Sequence, residues 1–173
     1  MRLSFAALLC CLLPTAALAA GQGEMAISGG PGLAVMIEGT TRAGASADLR
    51  FLRGLSDSWS ARLGLQAAWL GASGETNATH VLAPALGLTV AADVLNLVPF
   101  AEAGVVLADI RGNGLTARQR LGGQLGVGAD YLVTRHFTLS LLARLDFFAL
   151  RLAGAHESSP AQLTLALHLG RVF

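Results

Sequence analysis

Nine charged residues stand at alternating positions within otherwise apolar segments, and they are the residues of this chain best placed to do chemistry. Five are acidic and four are basic: Glu38, Asp48, Arg50, Arg62, Glu102, Arg120, Asp130, Arg144 and Asp146. A near balance of opposite charges is what a buried interior requires, because each unpaired charge there costs several kcal/mol. Arg–carboxylate pairs of this kind can hold an interior closed, or open a narrow path when they rearrange.

The segments that carry these charges alternate with a period of two, which is typical of β-strands with two unlike faces. In residues 59–70, Trp59, Leu63 and Trp69 share one face, while Arg62 and Gln66 lie on the other. The same alternation recurs along the chain and predicts eight strands between residues 31 and 173.

The links between these predicted strands alternate in character. Turn-like sequences follow the second, fourth and sixth strands, at residues 55–58, 93–99 and 133–136. Longer or more polar links follow the third, fifth and seventh strands, at residues 71–78, 111–118 and 153–160. This pattern predicts an up-and-down antiparallel arrangement with its short turns at one end.

Composition indicates which face points inward. The chain is 53% hydrophobic and only 13% charged, whereas a soluble domain has about 25% charged residues. The face that carries the charges is otherwise Gly, Ala and Ser, which suits a crowded lumen better than bulk water. We therefore predict an all-β, antiparallel, up-and-down transmembrane β-barrel with its apolar face in lipid. A soluble barrel with an apolar interior is the alternative.

The net charge of +1 gives no reason to expect nucleic acid as a partner.

The first residues predict export. Arg2 precedes an apolar run over residues 3–13, and Ala17-Leu18-Ala19 forms a small-residue cleavage site. We predict a signal peptide over residues 1–19, a periplasmic segment over 20–30 and the barrel over 31–173. Whether residues 21–30 are a tail or extend the first strand stays open. Both cysteines, Cys10 and Cys11, fall within the signal peptide, so the mature chain would have no thiol.

The last thirteen residues, AQLTLALHLGRVF, form an alternating segment that ends on an aromatic residue. This segment resembles the C-terminal strand of bacterial outer-membrane β-barrel proteins, and the pattern of the whole chain resembles their small OmpA/OmpX/OmpW-like eight-stranded group. The resemblance implies a Gram-negative outer-membrane location, membrane lipid as a partner and recognition by the barrel assembly machinery. The residues that would carry this assembly signal are Leu165, Leu167, Leu169 and Phe173.

Aromatic residues predict the two membrane interfaces. Trp59 and Trp69 are ten residues apart, which corresponds to about 25 Å along the axis of a tilted strand. That height matches the apolar band between the aromatic girdles of outer-membrane barrels. Tyr131 and Phe137 complete the predicted girdle.

Three functions remain open at this point. The favoured one is a structural or envelope-integrity role with a lumen plugged by Arg–carboxylate pairs, and the first alternative is a narrow gated pore for small solutes. The second alternative is a lipid A-modifying hydrolase, since His156 and Ser158 are similar to the His-x-Ser site of such enzymes. We nevertheless expect a solvated loop there, and no catalytic residues.

The histidines predict no metal site, because His80, His136 and His156 lack ligand spacing. His168 is expected to be a hydrogen-bonded interior residue, and we predict no cofactor. The oligomeric state stays open.

Overall fold

The structure, a computed structural model, describes residues 23–38, 40–71, 78–92, 96–112, 118–151 and 159–173. These residues form one closed barrel in which each strand pairs with its sequence neighbours and the last strand pairs with the first. The eight strands are β1 Met25–Glu38, β2 Thr40–Gly54, β3 Trp59–Leu70, β4 Thr79–Ala91, β5 Leu97–Gly112, β6 Arg118–Leu132, β7 Phe137–Arg151 and β8 Ala161–Val172.

Every pairing is antiparallel, including the pairing of β1 with β8 that closes the barrel. At this seam the backbone N–H of Phe173 donates to the Met25 carbonyl at 2.7 Å, and the Met25 N–H donates to the Phe173 carbonyl at 3.2 Å. The predicted antiparallel up-and-down barrel is confirmed. Among the described residues, no helix is long and apolar enough to cross a membrane.

The predicted start of the barrel at residue 31 is wrong. Residues 25–30 belong to β1, because Met25 pairs with Arg53 of β2 and Ala26 pairs with Val172 of β8. Glycines in this segment hide the alternation that marks the other strands, but their backbones still complete both ladders. Residues 25–30, placed in the predicted periplasmic segment, are therefore barrel wall, and the predicted signal peptide lies outside the described residues.

The links between the strands are divided between the two ends of the barrel. We call the end that carries the links 55–58, 92–96 and 133–136 the turn end, and the opposite one the loop end. Residues 72–77, 113–117 and 152–158 of the loop-end links lie outside the described residues, and so do His156 and Ser158.

The outer wall of the barrel is an apolar belt. Leu86 and Val127 are each 61% exposed and Leu169 is 72% exposed, and the same outward faces carry most of the large apolar side chains. An exposed apolar surface of this extent is suited to lipid and not to water. The apolar faces therefore point outward, as predicted.

Aromatic side chains lie at the ends of this belt. Trp59, Tyr131 and Phe137 point outward near the turn end, and Trp69 points outward near the loop end. Arg171 of β8 lies between two of the aromatic rings at the turn end, with its guanidinium 5.8 Å from the Phe137 ring centre and 5.1 Å from that of Phe173. Its charge is thereby kept at the rim of the apolar belt, where a long side chain can reach water.

A charge placed on the belt tests which side of the wall faces lipid. We expect Leu86→Arg to lower the free energy of unfolding in lipid vesicles by about 2–4 kcal/mol, since Leu86 lies in the middle of its strand. Val133→Arg, in a turn-end link, is the matched control and should cost about 0–1 kcal/mol. Urea titration of both variants measures the difference. Equal, small effects at both positions would indicate a water-facing outer wall.

Candidate functional site in the barrel lumen

The lumen contains three layers of inward-facing side chains. Near the turn end is a vestibule lined by hydroxyl groups and apolar side chains, in the middle is a network of charges and amides, and near the loop end is a layer of mainly apolar side chains. Seven of the nine predicted lumen charges are buried, and the other two, Glu38 and Asp130, are partly exposed.

Arg144 of β7 forms one half of the charge network. Its Nη1 lies 2.6 Å from Asp48 Oδ2 and its Nε lies 3.6 Å from Asp146 Oδ2. All three side chains are at most 2% exposed. One guanidinium thus faces two buried carboxylates, one on its own strand and one on β2.

Glu102 of β5 forms the other half. Its Oε2 lies 3.6 Å from Arg50 Nη1 and 3.5 Å from Arg62 Nε, so that one carboxylate faces two guanidinium groups. Arg50 also lies 3.8 Å from Asp130, donates from Nε to Ser28 Oγ at 3.2 Å and stacks over the Phe100 ring at 4.9 Å. These contacts hold the Arg50 guanidinium in place, and it lies between the rest of the network and the vestibule.

Gln124 connects the two halves. Its Oε1 accepts a hydrogen bond from Arg62, and its Nε2 donates to Asp146 Oδ1 at 2.7 Å. A second set of amides continues the layer, with Gln66 donating to Thr164 at 2.8 Å and Gln162 donating to Gln66 at 3.1 Å. The sequence pattern did not single out these amides, although all of them fall on the inward face of their strands.

Glu38 and Arg120 pair with each other near the loop end. Arg120 Nη2 donates to Glu38 Oε1 at 3.0 Å, and the Glu38 side chain is 28% exposed. The predicted set of nine charges is thus divided between this rim pair and the central network. The central network contains four acidic and three basic residues: Asp48, Glu102, Asp130, Asp146, Arg50, Arg62 and Arg144.

His168 joins the network through Asp48. Its Nε2 lies 3.7 Å from Asp48 Oδ1, and both side chains are buried. Gly30 of β1 pairs with Asp48 of the neighbouring strand, and an added Cβ at Gly30 would meet the backbone around Leu167 and His168 of β8. The absence of a side chain at Gly30 therefore allows the backbones of β1 and β8 to approach closely beside Asp48 and His168.

Gly126 makes similar room for Glu102. Gly126 pairs with Glu102 on one side and with Arg144 on the other, and an added Cβ would lie 2.7 Å from Glu102 Cγ. The lumen is thus filled by large charged side chains on some strands and glycines on their neighbours.

The apolar layer was not predicted. It is centred on Met36, Leu70, Val81, Ile110 and Phe148, each within three residues of the loop end of its strand and at most 5% exposed. Ala34, Ala68 and Ala108 pack among them. The sequence did contain a signal for this layer. Met36 and Leu70 lie an even number of residues from the charged residues of their strands, and therefore on the same inward face.

The vestibule opens at the turn end as a cavity of about 40 Å³. Its hydroxyl groups come from Ser28, Ser60, Thr89, Thr138 and Ser140, and Arg50 and Phe100 also line it. The side chain of Asp130 is 21% exposed here, whereas that of Glu102 is fully buried. Solvent contact therefore ends at the layer of Arg50.

Within the described ranges, no group of three or more His, Cys, Asp or Glu side chains could hold a metal ion.

The predicted assembly-signal residues Leu165, Leu167 and Leu169 point outward on β8, and Phe173 pairs with Met25 at the seam. Their role in assembly stays a prediction.

Solved structures share this fold. Neisserial surface protein A superposes with a TM-score of 0.75 at 11% identity, covering 86% of this chain and 98% of that one. The outer membrane protein OprG from Pseudomonas aeruginosa gives a TM-score of 0.62 at 14% identity, with 88% and 97% covered. The outer membrane enzyme PagL gives 0.51 at 15% identity, with 84% and 97% covered. No protein-family model matches the chain, and no curated protein matches it significantly.

The chain therefore has the fold of small eight-stranded outer-membrane β-barrel proteins. These neighbours and the apolar outer wall support the predicted location in a bacterial outer membrane. The fold is shared by proteins with different roles, so it does not select one.

Removing the cation of the central network should strongly destabilise the barrel. Arg144→Met leaves Asp48 and Asp146 without their nearest guanidinium, and we expect the free energy of unfolding to fall by about 3–5 kcal/mol. Arg111→Met is the control, since Arg111 pairs with Asp109 on the outer wall and is largely exposed; little change is expected there. Urea unfolding in lipid vesicles measures both. Similar stabilities for the two variants would contradict a structural role of the network.

Filling the space at Gly126 should also destabilise the barrel. The Cβ of Gly126→Ala would collide with a Glu102 side chain that two arginines hold in place, and overpacking of this kind costs about 1–3 kcal/mol. The control is Gly123→Ala on the same strand, because an added Cβ there has no atom within 4 Å. The temperature at which the folded band disappears on SDS gels ranks the variants. Wild-type behaviour of Gly126→Ala would show that Glu102 can move aside.

Proposed function

We propose that this chain is an integral outer-membrane protein with a structural, envelope-integrity role, and that its lumen is closed to solutes. The observation that carries the structural role is the central network, in which oppositely charged side chains from five strands meet inside the wall. Side chains of an eight-stranded barrel can fill its interior, and paired charges hold those side chains in position.

The network also ties distant strands together. Asp48 of β2 contacts Arg144 of β7, and Arg62 of β3 bonds to Gln124 of β6. None of these strand pairs are neighbours in the barrel wall. Such cross-lumen contacts resist deformation of the barrel, which suits a protein whose task is mechanical.

Conductance tests this proposal. Purified wild-type protein inserted in planar bilayers should give a flat current trace at all voltages, because no water path crosses the filled lumen. Folded insertion is verified on the same sample by its gel mobility, which should shift only after boiling. Single-channel steps from the folded wild-type protein would overturn the closed-lumen proposal in favour of the narrow gated pore.

A lipid A-modifying hydrolase remains the alternative from another class. Its support is the predicted His156 and Ser158 pair, together with the fold shared with the outer membrane enzyme PagL. A nucleophilic serine needs a base within hydrogen-bond reach and a third group that orients the base. Mass spectrometry of lipid A from cells with and without the protein separates the two functions. An altered acyl pattern that disappears in Ser158→Ala would establish the enzyme.

A further inference from the structure

We infer that the lumen is a half-channel which admits water from the turn end as far as the charge network, and that the apolar layer at the loop end is the barrier to solutes. The inference rests on the proposed closed lumen and names the layer that closes it. It differs from the sequence-based prediction, in which the Arg–carboxylate pairs themselves form the plug.

A cavity gives water a place to enter the lumen at the turn end, whereas at the loop end the exposed group is Glu38 of the rim pair. The cavity at the turn end is lined in part by hydroxyl groups and is large enough for about three water molecules, at 10–15 Å³ each. Asp130 is partly exposed to it, and Arg50 forms its inner limit. This end of the lumen presents hydroxyl groups beside buried apolar side chains such as Val98 and Val172, and it reaches as far as the first members of the network.

The network itself can accept further water. Glu102 Oε1, Arg144 Nη2 and His168 Nδ1 are buried atoms that make no hydrogen bond within the described parts of the chain. Buried polar atoms of this kind are commonly satisfied by water, and their desolvation is costly otherwise. If the network rearranged, water would therefore enter it and hydrate these atoms.

The loop end holds a cluster of buried apolar side chains, which lie beside the polar side chains of Arg120 and Gln162. Met36, Leu70, Val81, Ile110 and Phe148 offer no hydrogen-bonding atoms to a solute, and they come from five different strands around the lumen. Constrictions lined by apolar side chains exclude water and ions by dewetting. A solute that passed the network would still be stopped at this layer.

Cysteine accessibility tests the two halves of the lumen. The only cysteines of the chain, Cys10 and Cys11, lie in the predicted signal peptide, so the barrel provides a cysteine-free background. Ser60→Cys in the vestibule and Ala68→Cys in the apolar layer are a matched pair on β3. In detergent micelles, a small charged methanethiosulfonate should modify Ser60→Cys at least about tenfold faster, since a thiol reacts only where reagent reaches it. Equal rates would overturn the inference.

Conductance of two further variants assigns the barrier. Met36→Ala/Phe148→Ala removes bulk from the apolar layer and should give ion currents in planar bilayers. Asp48→Asn/Arg144→Gln removes two opposite charges from the network and should stay silent, because the apolar layer is unchanged. We expect the currents to favour cations, since the central network has four acidic and three basic residues.

The outcomes separate this inference from the proposed function. Currents from the wild-type protein would refute the closed lumen itself. A silent wild type with currents only from the network variant would refute the apolar barrier and leave the closed lumen intact. The boiling-dependent gel shift verifies the folding of each variant, and Phe148→Ala alone replaces the double variant if that one does not fold.

Discussion

Most charged side chains of the lumen are buried, so each of them has to find its counter-charge inside the barrel wall. Arg144 faces Asp48 and Asp146, and Glu102 faces Arg50 and Arg62. A buried charge that lost these partners would cost several kcal/mol. The positions of the strands, the amides that connect the pairs and the glycines that make room for them all follow from this requirement.

Glycine has two opposite effects in this barrel. At Gly126 the missing side chain makes room for Glu102, and at Gly30 it allows the backbones of β1 and β8 to approach closely. Glycine also interrupts the alternating pattern of β1, at Gly29, Gly30 and Gly32, so that residues 25–30 do not look like barrel wall in the sequence. A glycine that permits close packing in the narrow lumen therefore also weakens the alternation by which a strand is recognised in the sequence.

The arrangement of side chains in the lumen says more about the function of this protein than its fold does. Outer-membrane barrels of this size include enzymes and other proteins, and the neighbours of this chain reflect that range. The lumen is asymmetric along its axis, with a cavity that contains hydroxyl groups at one end, a paired network in the middle and a cluster of apolar side chains at the other end. That asymmetry is a property of this chain's own side chains.

The sequence by itself determined the strand count, the order of the links, the outward apolar face and the identity of the inward charges, because each depends only on period-two alternation along one strand at a time. Which charge meets which was decided by the tertiary structure, since Asp48 and Arg144 are 96 residues apart in sequence and come together only when the barrel closes. The apolar layer was decided in the same way. Met36 and Phe148 look like isolated exceptions on their strands, and only the closed barrel brings them to one level of the lumen.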